Sequence, residues 1–563
     1  MGASGKMPTK PRRREWWQGA VIYQIYPLSF ADADGDGWGD LPGLARRLGH
    51  VADLGVDAIW ISPFYASPMK DFGYDVSDHC AVDPRLGTQT DFDRVVSTAH
   101  RLGLKVLIDQ IWCHTSDAHA WFRESRKDRK SGKADWYVWA DARPDGTPPN
   151  NWLSVFGGSA WSWEPRRRQY YLHHFLSCQP QLDLRNEAVL ESLFEIARFW
   201  LERGVDGFRL DAIDYALHDP ELRDNPPRPR TEMPVKPFGL QRHVHDMIQP
   251  DTLDLLSRIR AFVDRWPGTV LLGEVSSEEG ALRRSADYSG DGRLHMAYTL
   301  GVMRLPFTAP AFRDAIAEAE RSKTGALCWA FSNHDVVRAV TRWGGGEGDD
   351  RLARLLMALL LSLKGSACVY QGEELGLPEA RLDEADLRDP YGIAFWPEFR
   401  GRDGARTPMP WRKDRKGAVA GAARPWLPVP DAHRARAVEI QAANRHSVLA
   451  SWRRFLAWRK QHPALIEGDI RTFSSPGPVL AFERRLDGER VLAVFNLTDR
   501  AIEAPVPVGS TIKRLRGHGF PSRLAGGKLF LPPYGAFFGR IASRRVRRPK
   551  TVLARAATMR EGS

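Results

Sequence analysis

Eight short apolar runs recur along this chain, with amphipathic stretches between several of them, and this alternation limits the fold more than any other feature. The runs are AVIYQIYP (20–27), VDAIWISP (56–63), KVLIDQIW (105–112), VDGFRLDA (205–212), TVLLGEV (269–275), HMAYTL (295–300), LCWAFSNHD (327–335) and SACVYQGEE (366–374). The stretches LPGLARRLGHVADLG, FDRVVSTAHRLG and VLESLFEIARFWLERG show helical spacing, and each ends at a glycine that can stop a helix. Strand-length runs alternating with helix-length segments signify βα units and a parallel sheet. Eight of them predict an α/β fold, a (β/α)8 TIM barrel, with a doubly wound sheet as the structural alternative. Chemically capable residues stand at the carboxyl ends of the runs: Asp109 and His114, Arg209 and Asp211, Glu274, His334 and Asp335. In a barrel that end is where separate strands deliver side chains to one pocket.

Two connections are too long or too irregular for simple βα loops. Residues 115–181 read as an inserted subdomain, and the prolines of 218–239 forbid a regular helix there. After about residue 470 the runs VLAFERR, RVLAVFNLT and GAFFGRIA follow one another without a helix, which predicts a small antiparallel β domain. A chain of 563 residues exceeds what one core organises. The expected division is a basic arm (1–14), a barrel (15–114 and 182–470), an inserted subdomain B (115–181), a C-terminal β-sandwich (471–543) and a basic tail (544–563).

The formal charge of +12 lies almost entirely in those tails: five cations and no acid in 1–14, and seven cations against Glu561 in 544–563. A nucleic-acid enzyme would spread basic residues along a binding surface, so no nucleic-acid partner is expected. The five cysteines are odd in number and lack metal-ligand spacing, which suits free thiols in a reducing compartment. The basic N-terminus has no apolar segment after it, and no run approaches membrane-span length. The expectation is a cytoplasmic monomer or homodimer with no membrane partner. Twenty Trp suit sugar-binding clefts, although packing would account for most of them.

The loop 32–40 offers Asp32, Asp34, Asp36, the Trp38 carbonyl and Asp40 at alternate positions with glycines between, a spacing that suits a hard cation. An Asp/Gly-rich surface turn would read the same way. That loop is one of a series of motifs: DADGDGWGDL (32–41), DFGYDVSDH (71–79), DQIWCH (109–114), NNWLSVFGGSAW (150–161), GFRLDAI (207–213), GEV (273–275), FSNHD (331–335), YQGEELG (370–376) and RTPMPW (406–411). In this order, over residues 16–540, the chain resembles glycoside hydrolase family thirteen, the α-amylase family, in its α-glucosidase and oligo-1,6-glucosidase branch.

The resemblance implies Asp211 as nucleophile, Glu274 as acid/base and Asp335 as the third carboxylate, which holds sugar hydroxyls as the ring distorts. Retaining cleavage independently requires one carboxylate to attack the anomeric carbon and one carboxylic acid to protonate the leaving oxygen. Arg209, two residues before Asp211, faces the same way on a strand and should keep it ionised. The resemblance also implies that His114 and His334 bind hydroxyls of the same sugar and that Asp71 and Arg406 pair around its far end. Tyr74 would stack beneath it, and Phe156 and Phe175 would wall the pocket. It makes the metal Ca2+, with Mg2+ as the alternative, in a structural role, and implies no organic cofactor. The expected substrates are small α-glucosides of the maltose type, with glucose transfer accompanying hydrolysis.

Departures from the family pattern narrow this. Cys113 stands where Asn is commoner, with Gln110 after Asp109, as in bacterial α-glucosidases that also transfer glucose; the thiol reads as buried packing. Ala212 follows the nucleophile position, where Val accompanies α-1,6 cleavage and smaller residues α-1,4 cleavage. The alternatives are an isomaltase-type oligo-1,6-glucosidase, a sucrose- or trehalose-active relative, or, outside catalysis, a silent amylase-like interaction protein. Such silent chains lack the carboxylate set and carry a membrane span.

Overall fold

The computed structural model describes residues 14–542 except 230–231, 278, 291, 322–324, 347, 415–423 and 508–510. Each of the eight apolar runs contains a strand: β1 (Val21–Ile25), β2 (Ala58–Ile61), β3 (Lys105–Gln110), β4 (Gly207–Leu210), β5 (Val270–Val275), β6 (Met296–Thr299), β7 (Cys328–Ala330) and β8 (Ser366–Tyr370). Each pairs in parallel with its sequence neighbour from β1 to β6, β8 joins β1, and β7 joins β8. A parallel bridge between Ala297 and Leu327 links β6 to β7 and closes the barrel. The doubly wound alternative falls away, because an open sheet would leave two edges.

Helix starts and stops follow local chemistry. Helix α1 (Leu41–Leu54) begins where the Asp40 carboxylate accepts from the Gly43 amide and ends at Gly55, whose φ of 88° suits glycine. Helix α2 (Gln89–Arg101) opens with a reciprocal Thr88 and Asp91 capping box. Helix α3 (Glu187–Leu201) starts at Asn186 and buries Leu190, Leu193, Phe194, Ala197 and Trp200.

Strand alternation positions the site. Ile22, Trp60, Leu107, Leu272, Met296, Cys328 and Cys368 share one apolar cluster inside the barrel, while Val21, Tyr23, Ile59 and Ile108 belong to the core between strands and helices. Two residues beyond Leu107 and Leu272 come Asp109 and Glu274 on the same face; from Gly207 the same step gives Arg209 and then Asp211. The inward face thus changes from apolar to charged at the carboxyl ends of the strands.

The insertion after β3 has its own small antiparallel sheet (Trp139–Ala140, Gln169–Leu172, Trp161–Glu164) and an apolar cluster around Trp152 and Trp161. C-terminal to the barrel, a five-stranded antiparallel sheet that includes Val479–Leu486, Glu489–Asn496 and Ala536–Ile541 packs through Val494, Leu529, Leu531 and Phe537 against a three-stranded one. All five cysteines are free. No helix among the described residues is long and apolar enough to cross a membrane. The basic arm, apart from Arg14, and the basic tail lie outside the described residues.

Candidate active site

One fully buried guanidinium organises the floor of the site. Arg209 Nη1 donates to Asp109 Oδ1 at 2.7 Å and to Asp211 Oδ1 at 2.6 Å, and Nη2 donates to Glu274 Oε2 and, at 2.8 Å, to Tyr298 Oη. The Trp60 ring lies 4.8 Å from the guanidinium carbon. Three carboxyl groups around one cation cannot all ionise freely away from water. Burial pushes Glu274 up to about 8, opposed by Arg209 and reinforced by Asp211 and Asp335. Burial also raises Asp211, to about 7, against the pull of Arg209. Both carboxyls therefore hold a proton to well above the ordinary carboxylate range, as a pair sharing one cation. Glu274 Oε2 also accepts from the Ala212 amide at 3.1 Å, which fixes the carboxyl's orientation.

Above this floor, Tyr74 and His334 stack with ring centroids 5.2 Å apart, and Tyr74 Oη lies 2.6 Å from His334 Nε2. Burial lowers His334 well below the usual histidine range and takes His114 down to about 3, so both rings are neutral at neutral pH. His114 Nε2 meets the Tyr74 carbonyl at 3.1 Å, while its buried Nδ1 has no hydrogen-bond partner among the described residues. Burial alone would raise Asp335, but the positive charges of Arg402, Arg406 and Arg209 hold it well below the ordinary carboxylate range. Asp335 therefore stays ionised.

The expected pairing of Asp71 with Arg406 is corrected by the geometry. Asp71 Oδ1 accepts from Arg402 Nη2 at 2.7 Å, and its other oxygen accepts from Gln179 at 3.0 Å. Arg402 also donates to Asp389 Oδ1 at 2.7 Å, and its guanidinium lies 5.1 Å from the Phe156 ring. Arg406 is fully buried one turn further along, donating to the His334 carbonyl at 2.8 Å and to Asp335 Oδ1 at 2.9 Å. The physical reason is depth: Arg406 lies behind Asp335 and does not line the cavity, whereas Arg402 does.

The cavity has a volume of about 1200 Å³ and is lined by Asp71, Tyr74, His114, Phe156, Phe175, Asp211, Ala212, Glu274, His334 and Asp335; Arg209 and Arg406 support it from below. The Phe175 ring packs against His114 at 5.3 Å, and Phe156 packs against Tyr391 at 4.7 Å. No Trp lines the cavity among the described residues, so the aromatic walls are Tyr and Phe, and Trp60, Trp112, Trp152 and Trp200 serve packing. Cys113 is buried with its thiol 3.5 Å from the Ala212 carbonyl, and burial pushes the thiol well above its usual range. Ala212 itself adopts φ 41°, ψ 44°, a left-handed conformation in which β-branched residues are strained. The irregular segment after β4 roofs the mouth: Pro234, Val235, Lys236 and Phe238 line it, and Lys236 reaches across to the rings of Tyr391 (4.4 Å) and Phe399 (3.8 Å).

Sequence reading missed Arg402, Gln179 and Tyr298. Arg402 stands four residues before Arg406 in the same Arg-rich motif, so charge type alone could not decide between them. Gln179 and Tyr298 carried no signal short of the fold.

The Asp/Gly loop is folded back on itself. Oxygens of Asp32, Asp34 and Asp40 lie within 4.8 Å of one another. Asp36 turns instead to the Trp38 amide, which donates to it at 2.8 Å. Burial and the neighbouring Asp36 and Asp34 charges raise the Asp32 carboxyl, against hydrogen bonds from Gly35 and Gly37. Gly37, at φ 100°, has no room for a side chain: a Cβ would sit 2.3 Å from the Arg424 carbonyl. Three converging hard oxygens fit a divalent cation of the Ca2+ type.

Comparison with known proteins agrees with this geometry. Residues 24–468 match the alpha amylase catalytic domain, and residues 471–538 match the maltogenic amylase C-terminal domain. A probable alpha-glucosidase of Rhizobium meliloti (strain 1021) is 52% identical over 542 residues, covering 94% of this chain and 98% of the relative. An oligo-1,6-glucosidase of Heyndrickxia coagulans is 33% identical, covering 88% of this chain and 94% of the relative. The solved structure of the alpha-glucosyl transfer enzyme XgtA has a TM-score of 0.92 at 51% identity, covering 94% of this chain and all of that one.

Proposed function

Because the chain belongs to the α-amylase family of glycoside hydrolases, we propose that this α-glucosidase is retaining and exo-acting, removes one glucose from short α-1,4-linked glucosides, and also transfers that glucose to acceptors. The observation that carries this reading is the bridging of Asp211 and Glu274 by the two terminal nitrogens of Arg209 at the floor of a cavity whose far end Asp71 and Arg402 close. Carboxyls held by one guanidinium have the close spacing that double displacement uses, and a closed end admits a single sugar ring.

In the first half-reaction the ionised Asp211 attacks the anomeric carbon while Glu274, still protonated, gives its proton to the leaving oxygen. Asp335, held ionised by its arginines, binds sugar hydroxyls more tightly as the ring flattens, which lowers the barrier more than it tightens substrate binding. Glu274, now a carboxylate, then takes a proton from water or from an acceptor hydroxyl, and the glucosyl bond to Asp211 breaks with a second inversion. The close relation to a glucosyl transfer enzyme supports the transfer branch.

The Ala212 position and the roofed mouth support disaccharides over long chains and α-1,4 over α-1,6 linkages. A cation held by Asp32, Asp34 and Asp40 would tie the start of α1 to its preceding loop and stabilise the fold. A panel of maltose, maltotriose, isomaltose, sucrose, trehalose and soluble starch tests this reading. The expected kcat/KM is highest on maltose and falls towards starch. Faster cleavage of isomaltose than maltose would replace the linkage assignment with that of an oligo-1,6-glucosidase.

A further inference from the structure

The cavity differs in charge between its two ends. At the inner end Asp71, Asp211, Glu274 and Asp335 are balanced by Arg402 in the lining and by Arg209 and Arg406 beneath it. Its mouth is lined by Arg228, Lys236, Arg242, Arg283, Arg284 and Arg304, with Glu279 and Asp287 as the opposing acids among the described residues. Outside the basic tails the chain is close to neutral, so this excess is local and not a reflection of composition.

The cations come from the connections after β4, β5 and β6. Arg283 and Arg284 lie on the helix Ala281–Tyr288 that follows Glu274, and Arg304 caps the short helix Leu300–Met303. They therefore stand on the connections that follow the strands leading to Asp211 and Glu274, and line the cavity that those carboxyls also line. Several are already engaged. Arg228 meets Glu279 at 3.6 Å, Arg284 donates to Ser277 Oγ and, at 3.2 Å, to the Glu279 carbonyl, and Lys236 rests on aromatic rings. Arg242 and Arg283 are exposed and have no ion-pair partner among the described residues. A cleft lined by one sign of charge concentrates ligands of the other sign.

From this arrangement we infer that the preferred leaving groups and acceptors are anionic: alcohols or phenols bearing a carboxylate or a phosphate several atoms beyond the glycosidic oxygen. The inference rests on the glucosidase reading and specifies the substrate class of its outer subsite. In each turnover the bond between the anomeric carbon and the aglycone oxygen breaks, that oxygen receives the proton of Glu274, and the glucosyl group passes to Asp211. Water then supplies the hydroxyl and returns a proton to Glu274. The anionic group forms and breaks no bond; the arginines recognise it by position, and Arg is suited to both anions through paired N–H donors.

Matched probes isolate the charge. Phenyl α-glucosides with a para 2-carboxyethyl chain, the corresponding amide, and a para 2-phosphoethyl chain keep the phenol's leaving ability nearly constant. At low salt a charged probe should exceed the amide in kcat/KM by at least about tenfold, and the ratio should shrink towards one in 0.5 M NaCl. Whether the carboxylate or the phosphate shows the larger ratio identifies the anion. In the Arg242→Gln/Arg283→Gln double variant the charged-to-neutral ratio should fall at least about threefold, with the amide probe reporting that the variant is folded and active. Equal kcat/KM for charged and neutral probes in active wild-type enzyme, or a ratio that the double variant leaves intact, would overturn the inference. Failure to cleave any of the three glucosides would overturn the glucosidase reading beneath it.

Discussion

The inner end and the mouth of the cavity are built in opposite ways. At the inner end nearly every polar side chain is buried and held by partners at strand ends: Arg209 by three carboxyls and Tyr298, Asp335 by Arg406 and His334, Asp71 by Arg402 and Gln179. The mouth consists of loop and helix residues, several exposed, and two of its cations, Arg242 and Arg283, have no ion-pair partner among the described residues. Buried, over-determined charge gives a fixed geometry for one sugar. Exposed charge gives steering and tolerance. Chemistry and ring recognition should therefore reside in the first region and preference among partners in the second.

The sharpest way to break that division is to compare substitutions at the two ends. Asp211→Asn and Glu274→Gln each keep shape but remove a chemical role, and each should reduce turnover by at least about a thousandfold while the protein stays folded by circular dichroism. Near-normal turnover in either would remove the catalytic assignment. Arg402→Ala strands Asp71 and Asp389 in a buried setting, and removing one partner of a buried pair costs about 3–5 kcal/mol. We expect kcat/KM on maltose to fall about a hundredfold or more, far beyond any loss from Arg242→Gln. Equal losses at the two positions would erase the contrast.

The pH profile sharpens it further. The proposed mechanism needs Asp211 ionised and Glu274 protonated, so activity should fall below about 7 as Asp211 gains a proton and above about 8 as Glu274 loses one. Stability follows the other face of the same shifts. A carboxyl whose folded value is raised binds its proton more tightly in the folded state, so its contribution is full below the unfolded value and is lost as pH rises through the folded one. Wild-type Tm should decline from about pH 5 to about pH 8 and level off above it, and Glu274→Gln should flatten that decline. A profile with unchanged slope would mean that Glu274 is not the group holding the proton.

Smaller effects concern linkage and metal. Ala212→Val puts a β-branched residue at φ 41°, and strain there should cost about 1–3 kcal/mol of stability, read as a lower Tm. The same variant should raise the ratio of isomaltose to maltose hydrolysis about tenfold. An unchanged ratio would detach linkage preference from this residue. Chelation should lower Tm by a few degrees while leaving activity at moderate temperature, because a ligand bound only to the folded state stabilises it by mass action. An unchanged Tm after verified metal removal would leave Asp32, Asp34 and Asp40 as a turn.

What the sequence made legible follows from the same contrast. The eight strands could be read because each is a short, continuously apolar run, with helix-patterned stretches between several of them, and Asp211 and Glu274 because their motifs match the family and stand at strand ends that a barrel brings together. The short β6 was readable only by counting to eight, since MAYT has little pattern of its own. Choosing Arg406 over Arg402 failed because the two lie one helical turn apart on Asp403–Arg406 and its cap, and burial depth is a tertiary property. The basic mouth was invisible for a similar reason. Its cations are scattered from 228 to 304 on three connections, and only barrel closure gathers them.

The proposed reaction is a double displacement through Asp211 and Glu274. Following the first turnovers on phenyl α-glucoside by proton NMR, before mutarotation, tests it most directly, because every glucose released then comes from the glucosyl side. Two inversions require the newly released glucose to appear as the α-anomer, with β-glucose growing in only at the rate of free mutarotation. Initial appearance of β-glucose would require a single inversion by water and would contradict the assignment of Asp211 as nucleophile.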